Sequence, residues 1–187
     1  MTDPTPTSAG TSALRAVAHP LRLRMLSLLT GAELSAAEVA RELDITHANA
    51  SYHLRVLLDA GELVVAGEEK IRGGIAKRYR HEWQRGLEAD KERNPASPDD
   101  KDLFIRVTAD EMVRRFAGRA RGPSLTTDAE LWVDPDTYAR ARALVEEASS
   151  LLHAAARPPR SDGTMRMNLT AAIFPMSTLQ KERMNTA

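Results

Sequence analysis

The stretch that decides the fold runs over residues 45–57 and reads ITHANASYHLRVL. Thr46 is of the residue type that caps the N-terminus of a helix by accepting a hydrogen bond from a free backbone N–H. Behind it, the apolar residues Ala50 and Leu54 recur at the spacing that places side chains on one face of a helix. The pattern predicts a helix over about residues 46–60, with one buried face and a polar face crowded towards its N-terminus.

Two further helix signals precede this stretch. Pro20 stands near the start of an apolar run with helical period, and Gly31 is placed to end it. Ser35 and Glu38 have the spacing of a capping box, in which a hydroxyl and a carboxylate each satisfy a free N–H of the first helical turn. A tight break at Asp44 then leads into the next helix. The sequence therefore predicts two short helices joined by a tight turn.

After residue 61 the hydrophobic period changes from helical to two, which indicates β-strands. Leu63 and Val65 share one face of a strand, glycines at 73 and 74 supply a turn, and residues 75–80 return. No acidic residue interrupts the basic run between positions 70 and 80. Two short helices followed by a basic hairpin make a winged helix-turn-helix. In that fold the second helix enters a major groove about 12 Å wide, and the hairpin reaches the neighbouring phosphates.

Residues 18–26 read AHPLRLRML, which resembles the AHPxRLxIL opening of the ArsR family, named for the arsenical-resistance repressor. Residues 45–57 resemble that family's recognition helix, commonly ISQPTVSHHLKVL, and the Arg78-Tyr79-Arg80 end of the hairpin resembles its wing. The resemblance covers about residues 11–85. It implies a dimeric bacterial regulator, usually a repressor, that a signal releases from its operator.

Carried over position by position, the resemblance gives the expected DNA contacts. His47 and Asn49 stand where Gln and Thr are common, so the base preference of relatives does not transfer; Asn49 is suited to a bidentate contact with adenine. For Tyr52 a place at the edge of the core is an equal alternative, and the hairpin could be ordinary solvated surface. Base contacts are expected from Thr46, His47, Asn49, Ser51 and Tyr52, and phosphate contacts from His53, Arg55, Lys70, Arg72, Lys77, Arg78 and Arg80.

The second half of the chain returns to regular patterning. Helices are predicted over about 99–119 and 135–153, the latter with a buried apolar stripe, and strands over 129–133 and 164–174. The two strands are expected to pair in one small sheet packed on the second helix. The region is expected to form a homodimer, and an unidentified non-metal effector is the lesser alternative for its role. Dimer contacts are expected from Leu14, Leu103, Val107, Met112 and Phe116.

The fold class predicted for the whole chain is therefore mainly α with a small β component. An N-terminal winged helix-turn-helix domain is followed by a C-terminal helix–strand–helix–strand region. The expected divisions are a disordered tail at 1–10, the DNA-binding domain at 11–85, a linker at 86–98, the dimerisation region at 99–175 and a flexible tail at 176–187.

Composition narrows the class of function. The 26 basic and 26 acidic residues give no net charge, so only a local basic surface could attract DNA. The chain has no cysteine, and its five histidines have no ligand-like spacing, so neither a metal nor another cofactor is expected. No phosphate-binding glycine loop or nucleophile motif points to an enzyme. With no long apolar run and a polar N-terminus, a cytoplasmic, nucleoid-associated protein is expected.

Two functions from different classes remain. The first is a DNA-binding regulator that acts on an operator as a homodimer. The alternative is a winged-helix module that binds another protein and reads no DNA. A mobility-shift assay on the promoter region of the gene that encodes this chain distinguishes the two functions, because only the DNA-binding regulator should shift it.

Overall fold

The computed structural model describes residues 13–71, 74–84 and 96–177. The tail predicted at 1–10, most of the 86–98 linker, nearly all of the 176–187 tail and Arg72 lie outside these residues. The helices are α1 (Ala13–Val17), α2 (Pro20–Thr30), α3 (Ala36–Leu43), α4 (His47–Asp59), α5 (Pro98–Ala117) and α6 (Pro135–Ala154). The strands are β1 (Leu34–Ser35), β2 (Leu63–Ile71) and β3 (Gly74–His81). The mainly helical fold with a small sheet and an N-terminal winged helix-turn-helix is confirmed.

The predicted helix caps are present. Ser35 and Glu38 form the complete capping box of α3, with 2.7 Å between the Ser35 nitrogen and Glu38 Oε2. Asp44 ends α3 in the left-handed region at φ 53°, a conformation that Asp tolerates better than most residues. The Thr46 hydroxyl accepts a hydrogen bond of 3.2 Å from the Asn49 backbone nitrogen. These local bonds fix where α3 and α4 begin and where α3 ends.

The sheet contains one strand more than the sequence pattern indicates. The strand order is β1-β3-β2, antiparallel throughout, with Leu34 opposite Tyr79. A bulge between Val65 and Gly67 shifts the register of the β2–β3 hairpin. β1 is only two residues long, which is too short for a periodicity of two to be visible in the sequence. It nevertheless fixes the base of the hairpin to the start of α3.

One apolar core holds the N-terminal domain together. Met25, Leu29, Val39, Leu54 and Leu57 are fully buried in it, and they come from α2, α3 and α4. Apolar burial of this kind is the main favourable term in folding, at about 25 cal/mol per Å². The second helix of the motif is therefore held on a rigid three-helix base.

α5 packs onto this domain through one face. Phe104 touches the core cluster, and Arg15 of α1 forms an ion pair of 3.2 Å with the buried Asp100. Glu111 is buried and accepts a hydrogen bond of 2.6 Å from Arg114. Burial opposes ionisation of Glu111, but the hydrogen bonds and charge of Arg114 outweigh it and hold the pKa of the carboxyl below its usual value. The Arg15–Asp100 pair therefore links α5 to α1, whereas Glu111 pairs with Arg114 and Arg115 of its own helix.

The C-terminal region differs from the prediction in two ways. Both predicted helices are present, but residues 129–133 and 164–174 form no hydrogen-bonded strand with any described residue. The apolar stripe of α6, predicted to be buried, contains no buried residue. Alternating apolar residues favour a strand only where a second strand supplies backbone hydrogen bonds. Among the described residues these two segments do not supply them to each other.

None of the helices that the structure describes is both long enough and apolar enough to cross a membrane.

Candidate nucleic-acid interface

α4 is amphipathic in the sense that the sequence predicted. Ala50, Leu54 and Leu57 are completely buried, whereas Asn49 and Arg55 are exposed on the opposite face. The polar side chains cluster in the first two turns, where free backbone N–H groups also give the helix a positive end. The exposed face of α4 can therefore enter a groove without disturbing the core.

The residues predicted to read bases lie on or beside this face. Thr46, His47 and Asn49 are exposed, and Ser51 is half-buried. Tyr52 is 58% exposed, and its ring meets the edge of the His53 ring at a centroid distance of 5.0 Å. Arg55 is exposed one turn further along the helix. The structure thus brings Thr46, His47, Asn49 and Tyr52 together at one end of α4.

His53 points into the protein, which does not fit the phosphate contact predicted for it. It is only 7% exposed, and its ring lies 4.6 Å from that of His19, centroid to centroid. His19 in turn caps α2, because its Nδ1 accepts a hydrogen bond of 3.1 Å from the Leu21 nitrogen. Burial lowers the pKa of both rings, and the nearby Arg22 charge lowers it further. The distribution of polar residues along α4 did not predict that His53 faces the core.

We expect the folded domain to lose stability as pH falls below about 6.5, the ordinary pKa of histidine. Because the pKa values of His19 and His53 are lowered in the folded chain, the unfolded chain binds more protons than the folded chain below about pH 6.5. The free energy of unfolding therefore has its full value above that pH, and it decreases as the pH falls through the folded-state pKa values. Urea unfolding of wild type and His53→Leu between pH 7.5 and 5 measures it.

The variant should show a shallower fall in the free energy of unfolding over this range. His47→Gln, which changes an exposed histidine on the same helix, is the matched control and should keep the wild-type slope. Equal slopes in wild type and His53→Leu would contradict the assignment.

The hairpin, or wing, is less basic than its sequence suggests. Glu68 of β2 lies opposite Lys77 of β3, and Glu69 lies opposite Ala76. Both acids fall just before the window of basic residues, so a linear count misses them. Arg80 forms an ion pair of 2.7 Å with Glu82. Lys70 and Lys77 are exposed and form no ion pair with a described residue, so they are the wing cations best placed for phosphates.

Arg78 fastens the wing to the N-terminus of α3. Its guanidinium lies 2.9 Å from Glu69 Oε2 and 3.3 Å from Glu38 Oε2, and it donates a hydrogen bond to the Glu33 carbonyl oxygen. Glu38 is the same residue that closes the capping box of α3. The side chain is 29% exposed, and two carboxylates and one carbonyl oxygen of the protein already surround its guanidinium.

Replacing Arg78 with alanine is therefore expected to lower the free energy of unfolding by about 1–2 kcal/mol, because hydrogen bonds to charged groups contribute about 1.5–3 kcal/mol and solvent screens this partly exposed side chain. Thermal unfolding of Arg78→Ala beside Arg80→Ala, whose ion pair is exposed, measures the difference. An unchanged melting temperature together with a reduced salt dependence of DNA binding would instead make Arg78 a phosphate contact.

The comparison with family models agrees with this geometry. Residues 17–64 match the model described as a helix-turn-helix domain. The match begins at the end of α1, includes α2, α3 and α4, and ends in β2. Residues 17–64 are a helix-turn-helix domain. No curated protein matches the chain.

The helix-turn-helix match covers less than half of the chain and supports a DNA-binding regulator. The two helices of the helix-turn-helix motif are α3 and α4. Most of the β2–β3 hairpin, which forms the wing, follows the matched residues. In the ranges 13–71, 74–84 and 96–177, no group of three or more His, Asp or Glu side chains is arranged to hold a metal ion.

The dimer contacts predicted on α5 fall on two faces. Met112 and Phe116 are 45% and 56% exposed, on the same helical stripe as the exposed Ile105. The spacing of positions 105, 112 and 116 is that of a helix–helix seam, a signal that sequence reasoning missed at Ile105. Leu103 is 37% exposed, Val107 is half-buried, and Leu14 packs against the core cluster. The exposed stripe is thus the part of α5 that is free for a partner.

A small pocket lies between the base of the wing and the end of α6. Its volume is about 220 Å³, and its lining includes Thr30, His81, Trp83 and His153. The Trp83 and His153 rings stand 5.2 Å apart, centroid to centroid. Pockets for drug-sized ligands usually exceed about 300 Å³, so this space suits only a molecule of a few heavy atoms.

Proposed function

We propose that the protein is a sequence-specific transcriptional regulator of ArsR type, a repressor that binds a (pseudo)palindromic operator as a homodimer in the bacterial cytoplasm. The observation that carries this proposal is the amphipathic α4. Its inner face is completely buried, while Thr46, His47, Asn49 and Tyr52 are exposed at its N-terminal end. A helix presented in this way on a helix-turn-helix domain has the width and chemistry for direct readout in a major groove.

The homodimer follows from how such domains read DNA. Two half-sites about 34 Å apart require two recognition helices held at that separation. The exposed stripe of Ile105, Met112 and Phe116 on α5 offers apolar surface for this purpose. A soluble chain seldom leaves such surface uncovered. Light scattering at micromolar concentration should therefore give the mass of two chains.

A mobility shift on the chain's own promoter region tests the proposal directly. We expect a shift at micromolar protein or below that survives competitor DNA, and a protected footprint with two-fold symmetry. No shift, together with capture of one defined protein partner, would instead favour the winged-helix protein-binding module.

Wing contacts should contribute to affinity without contributing to specificity. Replacing Lys77 with alanine should weaken binding to operator and random duplexes alike, and should reduce the slope of log K against log salt by about one unit. The exposed Lys101 of α5 provides the control, since Lys101→Ala should leave the slope unchanged. Loss of affinity on the operator alone would show that Lys77 reads a base.

A small effector is the second part of the proposal. The pocket beside Trp83 and His153 joins the base of the wing to the end of α6, so occupancy there could alter how the wing lies on DNA. A thermal-shift screen of small polar molecules, repeated with Trp83→Ala, tests it. A hit that stabilises wild type and the variant equally would place the effector elsewhere.

A further inference from the structure

The chain on both sides of α6 exposes apolar side chains that nothing described covers. Residues 128–133, here named the entry segment, expose Leu131 at 74%, and residues 164–174, the return segment, expose Met165 at 83%. Between them, α6 exposes Leu144 and Leu151 by more than half. Apolar surface on this scale normally marks an interaction site.

The two segments complement each other in pattern. Ala129, Leu131 and Val133 alternate on one face of the entry segment, as an extended chain requires. The return segment has the same alternation over a longer run. Its apolar face comprises Met165, Met167, Leu169, Ala171 and Ile173. Side by side, the two would form a single apolar surface that matches the uncovered stripe of α6.

The segments are also complementary in charge. On the opposite face of the entry segment stand Asp128 and Glu130, and on that of the return segment stands Arg166. Opposite charges on neighbouring strands stabilise their pairing, whereas like charges oppose it. Two entry segments would bring acid against acid, so an entry segment fits a return segment better than it fits another entry segment.

The return segment and the residues just before it make polar contacts with the N-terminal domain and α5 of the same chain. Arg160, just before this segment, forms an ion pair with Glu42 of α3. Asn168, within it, accepts a hydrogen bond of 3.0 Å from Arg115 of α5. The return segment is therefore held against its own N-terminal domain and α5, and among the described residues it pairs with no strand of its own chain.

We infer that two copies of the chain exchange these segments: the entry segment of one protomer pairs with the return segment of the other, and each pair covers the α6 stripe. The inference rests on the homodimer of the proposed function. A second copy supplies both segments in equal number, and two-fold symmetry lets each chain give and receive the same contact. The entry and return segments, which do not pair within one chain, thus pair between protomers.

Cysteine cross-linking tests the exchange without background, because the chain has no cysteine of its own. Glu130→Cys, on the outward face of the entry segment, is mixed with differently tagged Arg166→Cys, Asn168→Cys or Thr170→Cys chains under mild oxidation. Paired strands place opposite Cα atoms about 4.5–5.5 Å apart, within the range for a disulfide. Arg55→Cys, exposed on α4, replaces the return-segment variant in the control mixture.

A shift to the mass of a mixed covalent dimer in at least one mixture, and none in the control, is the expected result. Double variants such as Glu130→Cys/Arg166→Cys must then give covalent dimers as well. An intrachain disulfide in these double variants, or no cross-link at any position, would overturn the exchange. Operator binding by the unsubstituted chain is measured in parallel. A chain that dimerises and shifts DNA without cross-linking refutes the exchange alone, whereas absence of a shift refutes the proposed function.

Discussion

Leu54→Ala is expected to lower the free energy of unfolding by about 2–5 kcal/mol, the range for truncating a fully buried leucine. Leu54 is 0% exposed in the core beneath α4. The loss combines the apolar transfer free energy of the removed atoms with the cost of the cavity left behind. Since small domains are marginally stable, much of the variant should be unfolded at growth temperature, and DNA binding should be lost with the fold.

Leu58→Ala is the matched comparison, because it makes the same chemical change on the same helix. Leu58 is only partly buried against the core cluster, so its truncation should cost less than half as much. Urea unfolding monitored by circular dichroism gives both values. Equal losses at the two positions would mean that α4 is not seated on the core through Leu54.

Asn49→Ala is expected to weaken operator binding by about 1–3 kcal/mol, or roughly 5- to 150-fold, with a much smaller effect on random DNA. Asn49 is exposed near the N-terminus of α4, and its carboxamide can pair with the N6 and N7 atoms of adenine. The Thr46 cap uses the backbone nitrogen of Asn49, which alanine retains. Folding should therefore be unchanged, so the comparison isolates the side chain.

Titrations on operator and random duplexes measure this effect. Asp59→Asn, at the far end of α4, removes an exposed negative charge of the same helix and should leave the ratio of the two affinities unchanged. If Asn49→Ala loses the same factor on both duplexes, Asn49 contacts the backbone and base readout belongs to its neighbours.

Local signals in the sequence predicted most of the N-terminal domain. The Ser35–Glu38 box, the Thr46 cap and the buried face of α4 depend on contacts within a few residues, so the pattern contains all the information they need. The two-residue strand β1 was not predicted, because its only evidence is a partner more than 40 residues away, Tyr79. The contacts of Arg78 with Glu33 and Glu38 were not predicted for the same reason, because both partners are distant in sequence.

The sequence by itself determined which helices form, where they are capped and which face of α4 is apolar, because helix formation and capping are decided over one or two turns. Only the tertiary structure decided the charge of the wing, where Glu68 faces Lys77 across the hairpin, and the inward turn of His53 towards His19. Only the tertiary structure, too, showed that residues 129–133 and 164–174 pair with no strand in the described part of the chain. A strand is defined by hydrogen bonds to another segment, so its alternation can be read from one chain while its pairing cannot.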